Sequence, residues 1–348
     1  MKAQIKPRID LKYRTRLEEV IPLKTPFVIF VDPADTCNFK CKFCPTGDSE
    51  LMKKTPNRNF GIMDFNLYKK IIDDICEFEE PIKVLRLYKD GEPLLNPHFA
   101  DMVKYAKDKG CTSRIDTTTN ASLLTKKKSA EIISAGLDRI NISIEGINNE
   151  QYKSFSSYDI NFEQLLENIR YFYDNRNRCE VLIKINGDIL KENEKKNFFD
   201  IFGDIADNIY IEHVMSCWPE FELKGVEANR DLGIYGQPAK EVMVCPYVFY
   251  SFSINSDGLS SLCFLDWSRK LLIGDAKKEH LKDIWLGKNI RKYQEMFLKM
   301  KRKTHPICKN CGQLTHGMPD DVDSFAEELL RKFNGDGNAE QTILTKNG

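Results

Sequence analysis

From about residue 27 to residue 214 the apolar residues alternate between two rhythms. Short apolar runs occur at 27–31, 82–88, 113–118, 139–144, 180–185 and 208–214. Between them lie longer stretches in which apolar residues return every three or four positions, the helical period. At 65–78 these are Phe65, Tyr68, Ile71, Ile72, Ile75 and Cys76, with charges between. Stretches 97–109, 126–135, 162–175 and 192–205 repeat the pattern. Asp64 stands as the N-cap of the first helix, and Gly110 and Gly136 stand as C-terminal stops. Six strand–helix units in succession predict an α/β fold with a parallel sheet and right-handed crossovers. The spacing leaves open whether the sheet is doubly wound or curls into a full or partial barrel.

After about residue 237 the rhythm changes. Residues 247–267 read as two strands around Asn255-Ser256-Asp257-Gly258, where Asp-Gly is a strong hairpin signal. Short helices follow at 281–285 and 290–301, then a cysteine-rich loop. The tail is polar, with one amphipathic stretch at 325–333 and a Gly/Asn-rich end expected to be disordered. The chain thus divides into an N-terminal extension (1–25), an α/β core (26–237), a small α+β unit of hairpin and helices (238–318) and a tail (319–348).

Lysine and arginine number 52 and are balanced by 52 acidic residues. Zero net charge speaks against a broad nucleic-acid footprint. The basic runs Lys126-Lys127-Lys128 and 299–303 read as solvated helix faces. The N-terminus has no signal-peptide core, and no apolar run approaches the roughly eighteen residues a membrane span needs. A cytoplasmic location is expected, where thiols stay reduced. The 11 cysteines therefore read as metal ligands, reactive groups or packing residues, the last being the reading for Cys76, Cys111 and Cys179.

Cys37, Cys41 and Cys44 follow the first strand with CxxxCxxC spacing. Cubane clusters usually take four thiolates, so three in one tight loop leave an iron open. Zinc is the alternative, but no further Cys or His follows Cys44 within twenty residues. The motif after its apolar strand resembles the radical S-adenosylmethionine (radical SAM) superfamily. The resemblance implies a partial (β/α)6 TIM-like barrel with its site at the C-terminal strand ends, a SAM-binding [4Fe–4S] cluster, and S-adenosyl-L-methionine cleaved to a radical. Phe43 then lies beside the adenine. Gly91-Glu92-Pro93 resembles the family's Gly-Gly-Glu-Pro segment, with Asp90 in place of the first glycine, and implies binding of the SAM amino group. Asn120, Ser143 and Glu145 resemble strand-end residues that reach the ribose and carboxylate, and Lys184 and Asn186 are further candidates. The competing reading is turn formation for Gly91-Glu92-Pro93, Asn120, Ser143 and Glu145, and a solvent-facing polar pair for Lys184 and Asn186. The family also implies an electron donor such as flavodoxin or ferredoxin.

Cys245, Cys263, Cys308 and Cys311 form a second set, closed by CxxC. It is similar to the twitch/SPASM module of radical SAM enzymes, which implies an auxiliary [4Fe–4S] cluster; a four-cysteine zinc site has the same spacing. No cysteine follows Cys311, which fits the one-cluster version. Four thiolates leave no iron open, so such a cluster takes up an electron rather than ligating substrate. That favours a dehydrogenase acting on a small polyol, sugar or aminocyclitol. An epimerase is the near alternative, with Cys217, past the sixth strand, as hydrogen donor. A peptide maturase is another, disfavoured by the short stretch before Cys37, and a zinc-stabilised binding protein is a distant one. Phe264 and Asp266 flank Cys263 and are candidates for facing the substrate.

Overall fold

Ten strands build one sheet in the computed structural model, which describes residues 1–9, 14–58 and 60–334. The final stretch of the expected tail, 335–348, lies outside the described residues. The strands are β1 (Gln4–Ile5), β2 (Val28–Val31), β3 (Val84–Leu87), β4 (Ile115–Thr119), β5 (Arg139–Ile144), β6 (Glu180–Asn186), β7 (Asn208–Glu212), β8 (Ser251–Ile254), β9 (Leu259–Ser261) and β10 (Leu272–Asp275). Their order is β1-β7-β6-β5-β4-β3-β2-β8-β9-β10. Strands β2 to β7 are the six predicted ones, and each pairs in parallel with the next.

Alternation along these strands divides the sheet into two faces. Ile29, Val31, Leu85, Leu87, Ile140, Ile142, Ile183 and Ile209 are at most 1% exposed. Each contributes about 2 kcal/mol by leaving water. The intervening positions include apolar Phe30 and Leu182 but are otherwise rich in polar and charged residues, among them Arg86, Asp116, Asn141, Lys184 and Glu212. The sheet curls so that this second face surrounds a cavity of about 570 Å³. Because β1 and β10 remain as edges, the barrel is partial.

The helices form where capping and period agree. Phe65–Ile75 begins at Asp64, whose carboxylate accepts from the N–H groups of Asn66 and Leu67. Phe99–Lys109 and Lys126–Ala135 end at Gly110 and Gly136, both left-handed at φ +67° and +86°. Helix Asn149–Ser156 escapes the periodicity because it is short; its start is fixed by the Asn148 side chain. Cys76 is the exposed C-cap of its helix rather than a packing residue, whereas Cys111 and Cys179 are buried.

The hairpin turns at Gly258 as predicted, and its first strand joins the barrel sheet. β8 runs parallel to β2, from Val28 opposite Ser251 to Val31 opposite Ile254. The C-terminal unit therefore continues the sheet that carries the first cysteines. At the far edge β1, which the sequence pattern did not suggest, pairs with β7. Among the described residues, no helix is long and apolar enough to cross a membrane.

Candidate active site and two cysteine sets

The loop after β2 brings Cys37, Cys41 and Cys44 across the C-terminal end of the sheet. Lys40 and Lys42 donate backbone N–H groups to the carbonyls of Ser156 and Phe155, anchoring the loop on helix Asn149–Ser156. Asn38 donates to Ser122 Oγ at 2.8 Å, and Asn120 donates to Asn38 Oδ1 at 3.0 Å, so the end of β4 grips the loop from the other side. Gly47 lets the chain fold back, since a Cβ there would sit 2.4 Å from the Cys41 carbonyl oxygen. Burial pushes all three thiols up. Neighbouring sulfurs, with Glu92 beside Cys37 and Glu145 beside Cys41, push further.

Gly91 touches the start of this loop. A Cβ on it would lie 2.1 Å from the Thr36 carbonyl oxygen and 2.3 Å from that of Ala34. The Glu92 carboxylate, for which the family resemblance implies a bound ammonium, already accepts three donors of the chain. These are Thr119 Oγ1 at 2.6 Å, Asn120 N at 2.8 Å and Leu94 N at 3.0 Å. It ties the end of β3 to the end of β4, and Pro93 opens the turn Pro93–Leu95 beside it.

Asp90, the departure from the glycine pattern, has a structural reason that sequence reasoning missed. Its carboxylate meets Lys89 at 2.8 Å, Arg58 at 2.8 Å and Arg269 at 3.2 Å, all with fully buried side chains. Arg269 follows β9 and also reaches Asp35 at 3.4 Å. Burial pushes the Asp90 carboxyl up, but the three cations outweigh it and hold it below the usual carboxylate range. Asp32 goes the other way, raised by burial and by Asp90. This ion cluster fastens the loop after β3 to the C-terminal unit.

Beside the cysteine loop lies a cavity of about 200 Å³. Phe43, Ser143, Glu145, Lys184, Asn186 and Cys217 all line it. Gly91, Glu92, Pro93 and Asn120 do not; they hold the cysteine loop instead. Phe43 packs on Phe155 with ring centroids 5.5 Å apart. Burial pushes the Glu145 carboxyl up to about 7, with Lys184 opposing and Glu212 adding to the shift. Its Oε2 is buried without a partner. Lys184 pairs with Glu212, a wall residue that sequence reasoning did not single out although it falls in the sixth predicted strand. Cys217, Lys184 and Glu212 also line the larger cavity, so the two spaces meet there.

The second cysteine set converges from three segments. Cys245 precedes β8, Cys263 follows β9, and Cys308 and Cys311 bracket one turn. His305 Nδ1 accepts from the N–H groups of Ile307 and Cys308, fixing that turn. Burial raises all four thiols, and for Cys245, Cys263 and Cys308 neighbouring sulfurs add to the effect. Cys217 also feels Cys311 and Cys44, which places it between the two sets. Phe264 lines the larger cavity and stacks on Phe30 at 4.9 Å. Asp266 instead closes the hairpin, accepting from Ser261 Oγ and from the N–H groups of Lys270 and Leu271.

Buried, mutually repelling thiols fit a bound metal centre, which removes their protons. The spacing bears on which centre. Among the described residues, the ligand atoms gathered in threes within 4.8 Å are those of Asp74, Glu77 and His280; neither cysteine set is that tight. Tetrahedral zinc, with sulfurs about 2.3 Å from the ion, draws them to about 3.8 Å of one another. A cubane, with its irons at separate corners, holds its thiolates wider apart.

Comparison with known proteins agrees with this geometry. Residues 31–197 match the family model of the radical SAM superfamily, and residues 245–312 match that of an iron–sulfur cluster-binding domain called SPASM. The GTP 3',8-cyclase of Staphylococcus haemolyticus is 28% identical over 151 residues, 40% of each chain. The chain thus spans about two fifths of the length of this curated relative. Among solved structures, BtrN in complex with AdoMet and 2-DOIA superposes with a TM-score of 0.55 at 19% identity, covering 85% of this chain and 97% of that one. Streptococcus suis SuiB bound to precursor peptide SuiA gives 0.59 at 12% identity, covering 79% and 68%. At these identities the superpositions show a shared fold.

Proposed function

The chain belongs to the radical SAM superfamily and carries a SPASM/twitch-type cluster domain, and from that premise we propose that it dehydrogenates a small hydroxylated substrate. The family uses SAM and a [4Fe–4S] cluster, and the SPASM domain binds auxiliary iron–sulfur. When bound, the first cluster supplies the electron that cleaves SAM to a 5′-deoxyadenosyl radical, and the auxiliary cluster takes one electron from the substrate.

Cys37, Cys41 and Cys44 would hold the first cluster and Cys245, Cys263, Cys308 and Cys311 the second. Phe43, Ser143, Glu145 and Asn186 would hold SAM in the smaller cavity. The substrate would occupy the larger one, with its reacting carbon where the two meet. Its hydrogen atom leaves with the deoxyadenosyl group, and its hydroxyl proton goes to Glu212, whose carboxylate faces both spaces. The observation that carries the reading is this junction. Phe264, next to Cys263, lines the substrate cavity, and Cys217 at its mouth neighbours Cys311. An electron leaving the substrate has a short way to go.

Epimerisation is a second reading, because the Cys217 thiol lines both cavities and burial raises it. A protonated thiol is the form that returns a hydrogen atom. Anaerobic incubation with SAM, reductant and candidate substrates separates the two. Dehydrogenation gives one 5′-deoxyadenosine per product, the product lighter by two hydrogens. Solvent deuterium entering a product of unchanged formula, and lost in Cys217→Ala, contradicts it in favour of epimerisation.

A further inference from the structure

The larger cavity runs the length of the barrel interior. Lys83, Arg114 and Ser251 lie at the N-terminal ends of their strands, and Thr118, Lys184 and Glu212 lie toward the C-terminal ends. Its wall carries seven cationic side chains against two carboxylates, Glu212 and Asp320. Both carboxylates are taken, by Lys184 and by Arg14 at 2.9 Å. Lys89 is held by Asp90. Arg86 has Asp116 only at 3.6 Å. Among the described residues, Arg8, Lys83 and Arg114 have no carboxylate within ion-pair distance. Arg8 lies over the Tyr88 ring, and Lys83 donates to Thr15 Oγ1.

A second observation points the same way. The Nε atoms of Arg86 and Arg114, Oδ1 of Asp116 and Oγ1 of Thr118 are buried without partners. They cluster on the inner face of β3 and β4. An unpaired polar group sheltered from water is destabilising, the more so when charged. The two guanidinium Nε donors and the Thr118 hydroxyl, with Arg114 lacking a carboxylate partner among the described residues, suit a ligand that brings acceptors and negative charge, while the Asp116 oxygen behind Arg86 suits a donor such as a substrate hydroxyl. Guanidinium forks suit planar and tetrahedral oxyanions.

We propose that the substrate is an anionic polyol or sugar, its phosphate or carboxylate held by Arg86 and Arg114, with the reacting carbon toward Cys217. Arg114 lies four residues below Thr118 along the β4 segment, about 13 Å of strand at ~3.3 Å per residue. The anion therefore sits deep in the barrel, remote from the cysteine loop. A cationic aminocyclitol is repelled by this wall. The assignment rests on the dehydrogenase reading for which carbon reacts, but the anion site itself does not depend on it.

Calorimetry on the anaerobically prepared holoenzyme with SAM tests the site without turnover, so the binding result holds whether or not the proposed reaction occurs. The probes are glucose 6-phosphate, glucuronate, glucose and glucosamine at low ionic strength. Binding of either anion at least tenfold more tightly than glucose supports the proposal, and which one binds identifies the group. Arg114→Gln is expected to weaken that binding at least tenfold, with Arg114→Lys recovering part of it. Arg86→Gln, on the neighbouring strand, gives the same readout should Arg114→Gln fail to fold. Glucosamine binding as tightly as either anion, or no anion binding at millimolar concentration, overturns it.

Discussion

In the proposed arrangement a single residue, Glu145, ties the fold to SAM. Its carboxyl is raised to about 7 chiefly by burial, and one oxygen faces the smaller cavity's surroundings unpaired. A raised carboxyl stabilises the fold fully below its ordinary range, and that contribution is lost as pH rises through about 7. Ligand binding has the opposite sign. A cationic sulfonium favours ionised Glu145, so SAM affinity should rise about tenfold between pH 6 and pH 8 and then level off, one unit of deficit being tenfold. Glu145→Gln should flatten that profile in equilibrium dialysis; an unchanged slope would assign the titration elsewhere. Cys41→Ala should abolish 5′-deoxyadenosine formation. The grouping of the cysteines was legible in the sequence because a set of thiols suited to a metal shows as particular residues at particular spacings. Glu212 was not, because a carboxylate at a strand end looks the same whether it faces a cavity or solvent.

At the scale of elements, the loop after β3 depends on contacts from the other end of the chain. Asp90→Ala leaves Arg58, Lys89 and Arg269 buried around an empty place. Removing one partner of such a cluster costs about 3–5 kcal/mol, to be read as a lowered urea midpoint. Native Asp90 adds stability above the ordinary carboxylate range, and this is lost as pH falls through about 2. Strands β2 to β7 and the longer helices between them could be read from periodicity because each turns one apolar face to the core, whereas the short helix Asn149–Ser156 could not. The pairing of β8 with β2 could not, since a short strand carries no mark of the edge it joins. The Asp90 cluster was hidden for a related reason. Arg58 stands 32 residues from Asp90, and Arg269 stands 234 residues from Asp35; only the fold assembles them.

At the scale of the whole molecule, the continuous sheet from β1 to β10 sets two cysteine sets at the end of one barrel, with Cys217 between them. Cys308→Ala should therefore keep SAM cleavage but stop product formation, and full turnover in that variant would refute the electron-acceptor role. The central claim is two cubane clusters, of which one has a corner open to SAM. Mössbauer spectroscopy with iron analysis on anaerobic protein, with and without SAM, tests it most directly. About eight irons per chain, all in cubane clusters, with SAM shifting the signal of one cluster alone, is the predicted result. Stoichiometric zinc at the C-terminal cysteines, or spectra that SAM leaves untouched, would contradict it.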